Sequence, residues 1–242
     1  MKFVGIIGYK KSGKTTLLLK LTKELISQGY RVAAIKHISR DIDMVNTDTE
    51  KIKQRISQVA AITPNESILF LKNKSNLEEI IKHLEADIVL VEGLKKEKTY
   101  PKIVCLREEK EKSELFDGLQ LCTTSLVDND TNSSFSDFNI LNDEDVKEMS
   151  KIIISKAFKL PNLDCGACGF QNCYELAQEI VKGNKTVGDC FSLKSEVVVK
   201  ANGKIIPMNP FISKMVKNTI MGLLSPLKEF GKGNIEIKIK EK

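Results

Sequence analysis

Four of the six cysteines crowd together, Cys165, Cys168, Cys173 and Cys190, in the order C-x2-C-x4-C-x16-C. Thiolates are soft ligands for zinc and for iron–sulfur clusters. In a cubane 4Fe-4S cluster each iron takes one thiolate, so four sulfurs must converge on a small centre. Gly166 and Gly169, within CGACGFQNC, let the backbone turn tightly around it. At the amino-terminal end Gly8, Tyr9, Lys10, Lys11, Ser12, Gly13, Lys14, Thr15 and Thr16 follow the pattern G-x-x-x-x-G-K-[ST]. Successive amides in such a loop cradle phosphates.

Two other readings of the cysteines compete with a cluster. Disulfides suit secreted proteins, but no signal-peptide pattern opens this sequence and 29% of its residues are charged. Reduced thiols and a cytoplasmic location are therefore expected. Zinc is the closer rival, since it also takes four thiolates. Zinc ribbons usually carry two C-x-x-C pairs and only one exists here, which favours iron and sulfide. Cys105 and Cys122 lie in apolar runs, KIVCLR and LQLCTTS, and read as ordinary buried thiols.

The phosphate loop gains specificity from what flanks it. The apolar run KFVGII precedes it, and LLLKLTKELISQGY, with helical apolar spacing, follows. In that setting Lys14 bridges the β- and γ-phosphates and the Thr15 hydroxyl binds magnesium. A second magnesium group should end a neighbouring strand; ADIVLVEG supplies Glu92 there, whereas Asp87 begins the strand at the far end. Lys14, Thr15 and Glu92 are the candidate catalytic residues, with Thr15 and Glu92 as the magnesium shell. After the second strand, RVAAIKHISRDIDMVNTDTE holds Lys36, His37, Asp41, Asp43 and Asp48 where a nucleotide-sensing switch would lie. Asp41 and Asp43 read as solvated loop acids. The segment NKSN, 73–76, is close to a guanine-reading box but precedes the acidic strand, so it reads as a turn and helix cap. ATP and GTP both remain open.

Strands are expected near 2–7, 31–36, 58–63, 67–71, 87–91, 102–106 and 120–126, and helices near 14–28 and 76–85. This alternation predicts an α/β P-loop NTPase domain with a mostly parallel sheet covered on both faces. A polar loop over 128–137 leads to an amphipathic helix, 143–158, capped by Asn142 or Asp143. Pro161 ends that segment and opens a small α+β iron–sulfur domain. In it YELAQEIVKG forms a helix with Leu176, Ala177, Ile180 and Val181 on one face, and Gly183 and Gly188 at its stop and turn. Beyond it, EVVVKANGKIIPM reads as a hairpin around Asn202 and Gly203. A helix follows with an apolar stripe of Phe211, Ile212, Met215, Val216, Ile220, Leu223 and Leu224, best suited to a core or dimer face. The alternating tail NIEIKIKEK suits an edge strand. The expected domains are thus 1–160, 161–192 and a hairpin, helix and strand extension over 193–242.

The motifs GYKKSGKTTL, VAAIKH, the pair Asp48 and Thr49, and VLVEGLKKEKTYPKIVCLR resemble, in order and spacing, the molybdopterin-guanine dinucleotide biosynthesis protein B family, over about residues 1–128. The resemblance implies a slow GTPase that assists attachment of GMP to molybdopterin. It implies that the loop from Gly8 to Thr16 binds nucleotide, and that Lys36, His37, Asp48 and the segment from Glu92 to Lys95 line the site or a partner surface. Where that family commonly has further polar residues after the lysine–histidine pair, Ile38, Ser39 and Arg40 stand here. Residues 165–190 resemble the four-cysteine iron–sulfur domain of the Rnf-complex B subunit and of the corrinoid iron–sulfur protein large subunit. The chain is therefore similar to a fusion of the two.

The function expected is a GTP- or ATP-binding, magnesium-dependent protein that assists molybdenum or tungsten cofactor biosynthesis and carries a 4Fe-4S cluster. Its partners would be a purine nucleotide and a nucleotidyltransferase or molybdoenzyme maturation protein, with a homodimer allowed. Two alternatives are a nucleotide-dependent electron-transfer or reductive-activation protein, and a non-hydrolysing adapter whose cluster is structural. A net charge of +6 without aromatic interleaving does not indicate nucleic acid. No apolar run approaches the roughly 20 residues of a membrane span.

Overall fold

The computed structural model of the chain describes residues 1–38, 48–56, 58–71, 76–126, 135–201, 204–206, 208–228, 230–231, 233, 235–237 and 239. The loop acids Asp41 and Asp43, residues 39 and 40 of the switch segment, most of the NKSN segment, most of the 128–137 loop and the turn pair Asn202 and Gly203 lie outside these residues. The chain divides into two compact units, Met1–Lys159 and Leu160–Lys242. The cysteine-rich segment and everything after it fall in the second.

In the first unit the chain runs β1 (Lys2–Gly8), α1 (Lys14–Ser27), β2 (Val32–Lys36), α2 (Asp48–Arg55), β3 (Gln58–Ile62), β4 (Ser67–Leu71), α3 (Leu77–Ile81) and β5 (Ile88–Glu92). It continues with β6 (Lys102–Cys105), α4 (Lys112–Leu115), β7 (Gln120–Ser125), β8 (Phe138–Asn139) and α5 (Asp143–Lys156). Six strands form one sheet in the order β2-β5-β1-β6-β7-β8, with every pair parallel. The chain leaves β1 toward β2 on one side and later returns to place β6 on the other. The loop after β1 thus stands at a topological switch point, where the carboxyl ends of parallel strands open a crevice.

Strand parity decides which side chains face which layer. Val4 and Ile6 of β1, Ile88 and Leu90 of β5, and Ile103 and Cys105 of β6 share one core with Leu17, Leu21 and Leu25 of α1 and Val146, Met149 and Ile153 of α5. Phe3, Val89, Val91 and Tyr100 form the opposite layer, with Leu77 and Ile81 of α3 against them. Cys105 and Cys122 are buried, and burial pushes both thiols up to about 12. They are neutral core residues, as their apolar surroundings in the sequence suggested.

Several elements differ from expectation. Among the described residues β3 and β4 pair only with each other, antiparallel, and form a separate two-stranded sheet. The connection between them spans only four residues, too short for the crossover a parallel pair needs. The start of the expected switch segment's far end is helical, as α2, and β8 adds an edge that a two-residue strand cannot announce in sequence. Asn76 does cap α3, its side chain accepting from the Glu79 amide at 2.9 Å, and Asn142 caps α5 by accepting from Glu144.

The second unit contains α6 (Cys173–Val181), α7 (Phe191–Lys194), an antiparallel hairpin of β9 (Val199–Ala201) and β10 (Lys204–Ile206), and α8 (Pro210–Leu224). Of the predicted α6 face, Leu176 and Ala177 are buried, while Ile180 and Val181 are half-buried. The stripe on α8 is not a core face within this chain: Phe211 and Leu223 are 73% and 72% exposed and only Ser213 of the helix is buried. Helical periodicity shows that a helix is amphipathic without showing what it faces. The tail is likewise not an edge strand among its described residues, Ile235 to Ile237 and Ile239. Alternation supplies one strand, and a strand needs an edge to pair with.

One buried ion pair fixes the chain just beyond β5. Lys102 is 0% exposed, and its ammonium pairs with Asp117 while donating to the Lys95 carbonyl at 2.9 Å. Lys98 also reaches Asp117, at 2.8 Å. Burial pushes the Lys102 ammonium down; it would also raise Asp117, but the two ammonium groups outweigh that and hold the carboxyl below its usual range. Asp117→Ala would leave a buried charge unpaired, at a cost of about 3–5 kcal/mol. Urea denaturation should show that loss, and the volume-matched double change Lys102→Met with Asp117→Leu should restore most of it.

Candidate functional site

The phosphate loop is a backbone construction. Gly8 has φ 154° and Gly13 φ 87°, with Lys11 at φ 64° between them. A Cβ on Gly8 would stand 2.4 Å from the Cys105 carbonyl oxygen and 2.4 Å from Ser12 Oγ, and one on Gly13 would stand 2.6 Å from Ile140 Cδ1. Only glycine fits at these two positions. Ser12 is 1% exposed and among the described residues its hydroxyl has no hydrogen-bond partner, an orphaned donor inside the loop. Lys14 opens α1 and its ammonium donates to the Tyr9 carbonyl at 2.5 Å.

Parity brings the remaining groups to the same place. Glu92 ends β5 on the face of Ile88 and Leu90, toward α1, and its register partners are Ile6 on β1 and Lys36 on β2. Thr15 Oγ1 donates to the Glu92 carboxylate, 3.1 and 3.0 Å from its two oxygens. The Lys36 ammonium lies 3.2 Å from Glu92 Oε2 and donates to Thr15 Oγ1 at 3.3 Å. A cation therefore touches both oxygen groups assigned from sequence to magnesium. Asp87 is at the opposite end of β5, as expected; the hydrogen bonds from Arg31 hold its carboxyl at about 2.

The residues carried by resemblance divide. Lys36 joins Thr15 and Glu92 in the cluster, while Lys14 reaches back along the loop to the Tyr9 carbonyl. His37 is exposed and is tied in through its backbone, its amide donating to the Glu92 carbonyl at 2.9 Å. Asp48 begins α2, with its side chain outside the described residues, and no described interaction joins it to the loop. Lys10, Lys11 and Thr16 are exposed on the loop. Gly93 and Leu94, at φ 94° and 48°, turn the chain sharply after Glu92 and present Lys95, whose ammonium lies 3.8 Å from the centre of the Tyr9 ring. Partial burial, then the nearby Lys14 charge, push that ammonium down. Arg107 was not singled out in the sequence. It follows β6 at the carboxyl edge of the sheet, 5.2 Å from the same ring, and is paired with buried Glu111. A basic residue closing an apolar strand run is the signal that could have found it.

In the second unit, Cys165 and Cys168 are half-buried and Cys173 and Cys190 buried, all as free thiols. Gly166 and Gly169 take φ 69° and 88°, and the Gly169 amide closes the turn onto the Gly166 carbonyl at 3.0 Å. Asp164, at φ 44°, accepts from the Cys173 amide at 2.7 Å and fixes the start of α6. Gly183, at φ 84°, stops that helix. Burial pushes the Cys173 thiol up, opposed by the amides of Asp164 and Leu163 hydrogen-bonded to its sulfur. Burial also pushes Cys190 up, opposed by the amides of Leu193 and Ser192, and the sulfurs of Cys168 and Cys165 raise it further by proximity. Among the described residues no three His, Cys, Asp or Glu side chains are gathered closely enough to hold a single metal ion. Nor, among those residues, is any helix long and apolar enough to cross a membrane.

Comparison with known proteins matches both halves. The family described as molybdopterin guanine dinucleotide synthesis protein B matches residues 3–127, and a family proposed to be an Fe-S cluster domain matches residues 160–192. A Methanocaldococcus jannaschii protein, assigned the name molybdopterin-guanine dinucleotide biosynthesis adapter protein, is 32% identical over 237 residues, covering 94% of this chain and 92% of its own. The Haemophilus influenzae molybdopterin-guanine dinucleotide biosynthesis adapter protein is 35% identical over 114 residues, 44% of this chain and 64% of its own. The crystal structure of Bacillus subtilis MobB superposes with a TM-score of 0.53 at 19% identity, covering 63% of this chain and 98% of that one, and shares its fold.

Exchanging the Lys36 ammonium tests the oxygen cluster. Lys36→Met should leave Thr15 and Glu92 to a divalent ion and lower the magnesium concentration that half-saturates triphosphate binding. Glu92→Gln should raise it, each by roughly tenfold, equivalent to about 1.4 kcal/mol. Fluorescence titrations with a labelled triphosphate at stepped magnesium read both; equal magnesium dependence in all three proteins would remove this assignment.

Proposed function

The chain belongs to the molybdopterin guanine dinucleotide synthesis protein B family, and from that premise we propose that it is a nucleotide-binding adapter in molybdenum or tungsten cofactor biosynthesis that also carries an iron–sulfur cluster. The nucleotide is GTP by the family reading, with ATP as its competitor in the test. The observation that carries the proposal is the convergence of Lys14, Thr15, Lys36 and Glu92 at the carboxyl edge of the sheet.

Loop amides and the positive end of α1 would hold the β-phosphate, and the orphaned Ser12 hydroxyl would gain an acceptor there. Lys14 would leave the Tyr9 carbonyl for the β- and γ-oxygens. Lys36 would yield the space between Thr15 and Glu92 to magnesium, which neutralises phosphate charge when bound. Lys95, raised on its turn over Tyr9, adds a positive group on the same side as Lys14. Hydrolysis is slow in this reading, and a nucleotidyltransferase partner completes the site. The moving parts are then lysines whose contacts differ between free and loaded states, which is how nucleotide occupancy becomes partner affinity.

For the second unit, the donor set fits a cluster. A lone zinc needs its sulfurs about 2.3 Å from one point, whereas a cluster seats one thiolate on each of several irons. Cys165, Cys168 and Cys173 each lie near enough to Cys190 for their charges to interact, and the turns at Asp164, Gly166 and Gly169 fold the backbone tightly around them. The cluster, when bound, supplies a one-electron redox centre.

Lys14→Ala should weaken GTP binding by roughly 10- to 100-fold, the weight of one charge-assisted hydrogen bond, with the circular dichroism spectrum retained. Calorimetric titration of GTP and ATP into both proteins decides this, and phosphate release with and without the nucleotidyltransferase tests the adapter role. Unchanged affinity in the variant would overturn the nucleotide reading. Anaerobically purified protein lacking iron and sulfide would overturn the cluster reading.

A further inference from the structure

We propose that the Ser192 hydroxyl donates a hydrogen bond to the sulfur of Cys165 and by doing so raises the reduction potential of the cluster. This rests on the reading that Cys165, Cys168, Cys173 and Cys190 hold that cluster.

Ser192 Oγ lies 3.3 Å from Cys165 Sγ, across 27 residues of sequence. A neutral thiol could be either partner in that bond. A sulfur bound to iron has no proton, so ligation fixes the direction: the hydroxyl donates and the sulfur accepts. Cys165 is half-buried, and the Ser192 hydroxyl is the polar side chain placed against its sulfur.

The surroundings favour a strong bond. Ser192 borders a cleft lined mostly by apolar residues, Pro161, Leu163, Leu193, Val197 and Val198 among them, and the other hydroxyl there, Ser195, is engaged with the Val197 carbonyl and Ser213 rather than with Ser192. A donor at a ligating sulfur draws electron density from it and stabilises the reduced cluster, with its extra negative charge, more than the oxidised one. Ser192 is therefore a positioning and tuning residue, acting through Cys165.

The test is potentiometry followed by electron paramagnetic resonance on anaerobically purified full-length protein, with iron and sulfide measured in each sample. Ser192→Ala should retain its cluster with a more negative potential, its reduction equilibrium constant falling roughly fivefold, the weight of a single hydrogen bond. Ser192→Thr, which keeps the hydroxyl, should stay near wild type. A loaded Ser192→Ala protein with the wild-type potential would overturn the proposal. If Ser192→Ala loses its iron, recovery in Ser192→Thr supports the hydroxyl's role, and loss in both variants counts against it. Wild-type protein without iron and sulfide would instead fail the cluster reading beneath this one, and the proposal with it.

Discussion

Glu92 is a carboxylate almost enclosed by protein, its side chain 10% exposed at the end of a strand whose other residues are all buried. An ionised group in that setting must be matched by partners or it costs several kcal/mol. The match comes from the Thr15 hydroxyl and the Lys36 ammonium, and both arrive by the geometry of parallel strands. β2 and β1 flank β5, so Lys36 and the residue leading into the phosphate loop stand level with Glu92. The side-chain period of two then turns Lys36 and Glu92 to the same face as α1. The need to neutralise one acid thereby links three separate segments of chain, and each of the three is also a group that phosphate or magnesium can use.

That linkage explains what could be read in the sequence. The phosphate loop is a local object: strand, glycines, lysine and helix are contiguous, and Gly8 and Gly13 are required by atoms a Cβ would strike. Glu92 could be found because a buried run ending in an acid is rare. Lys36 was reached through family resemblance, since its pairing with Glu92 depends on strand order, which is not written in either segment. The same limit applied to β3 and β4, whose apolar alternation is equally strand-like inside or outside the main sheet. Arg107 and the cation pair on Tyr9 were missed for the same reason: they assemble from β1, β6 and the turn after β5.

The second unit divides along the same line. The family proposed to be an Fe-S cluster domain matches the segment that holds the four cysteines, and their pattern is carried by spacing and was legible at once. The groups around their sulfurs were not, because backbone amides belong to every residue and only the fold says which ones point at sulfur. Asp164 and Asn162 hold left-handed backbone conformations immediately before Cys165, at φ 44° and 56°. Non-glycine residues there carry strain, and the Asp164 bond to the Cys173 amide offsets part of it. The α8 stripe marks the opposite case: a strong pattern in sequence of which Phe211, Met215 and Leu223 are exposed, Ile212, Val216, Ile220 and Leu224 half-buried, and none buried.

Both proposed centres are negatively charged once assembled, the nucleotide by its phosphates and the cluster by its four thiolates, yet the two sites answer that charge differently. At the proposed nucleotide site, side-chain cations supplement the amides: Lys14, Lys36 and Lys95 sit on flexible stems, resting on a carbonyl, between two oxygens, and over a ring. Such cations can change partners when a ligand enters and resume the old ones when it leaves. Around the cysteines the described side-chain donor is one short hydroxyl, on Ser192, a group with little freedom to move. Rigid, neutral donors suit a ligand that stays in place and changes by one electron, because they stabilise added charge without reorganising. Mobile cations suit one that comes and goes. On the proposed reading the division of donor types suits exchange in the first unit and retention in the second, a distinction that neither the phosphate-loop pattern nor the cysteine spacing expresses alone.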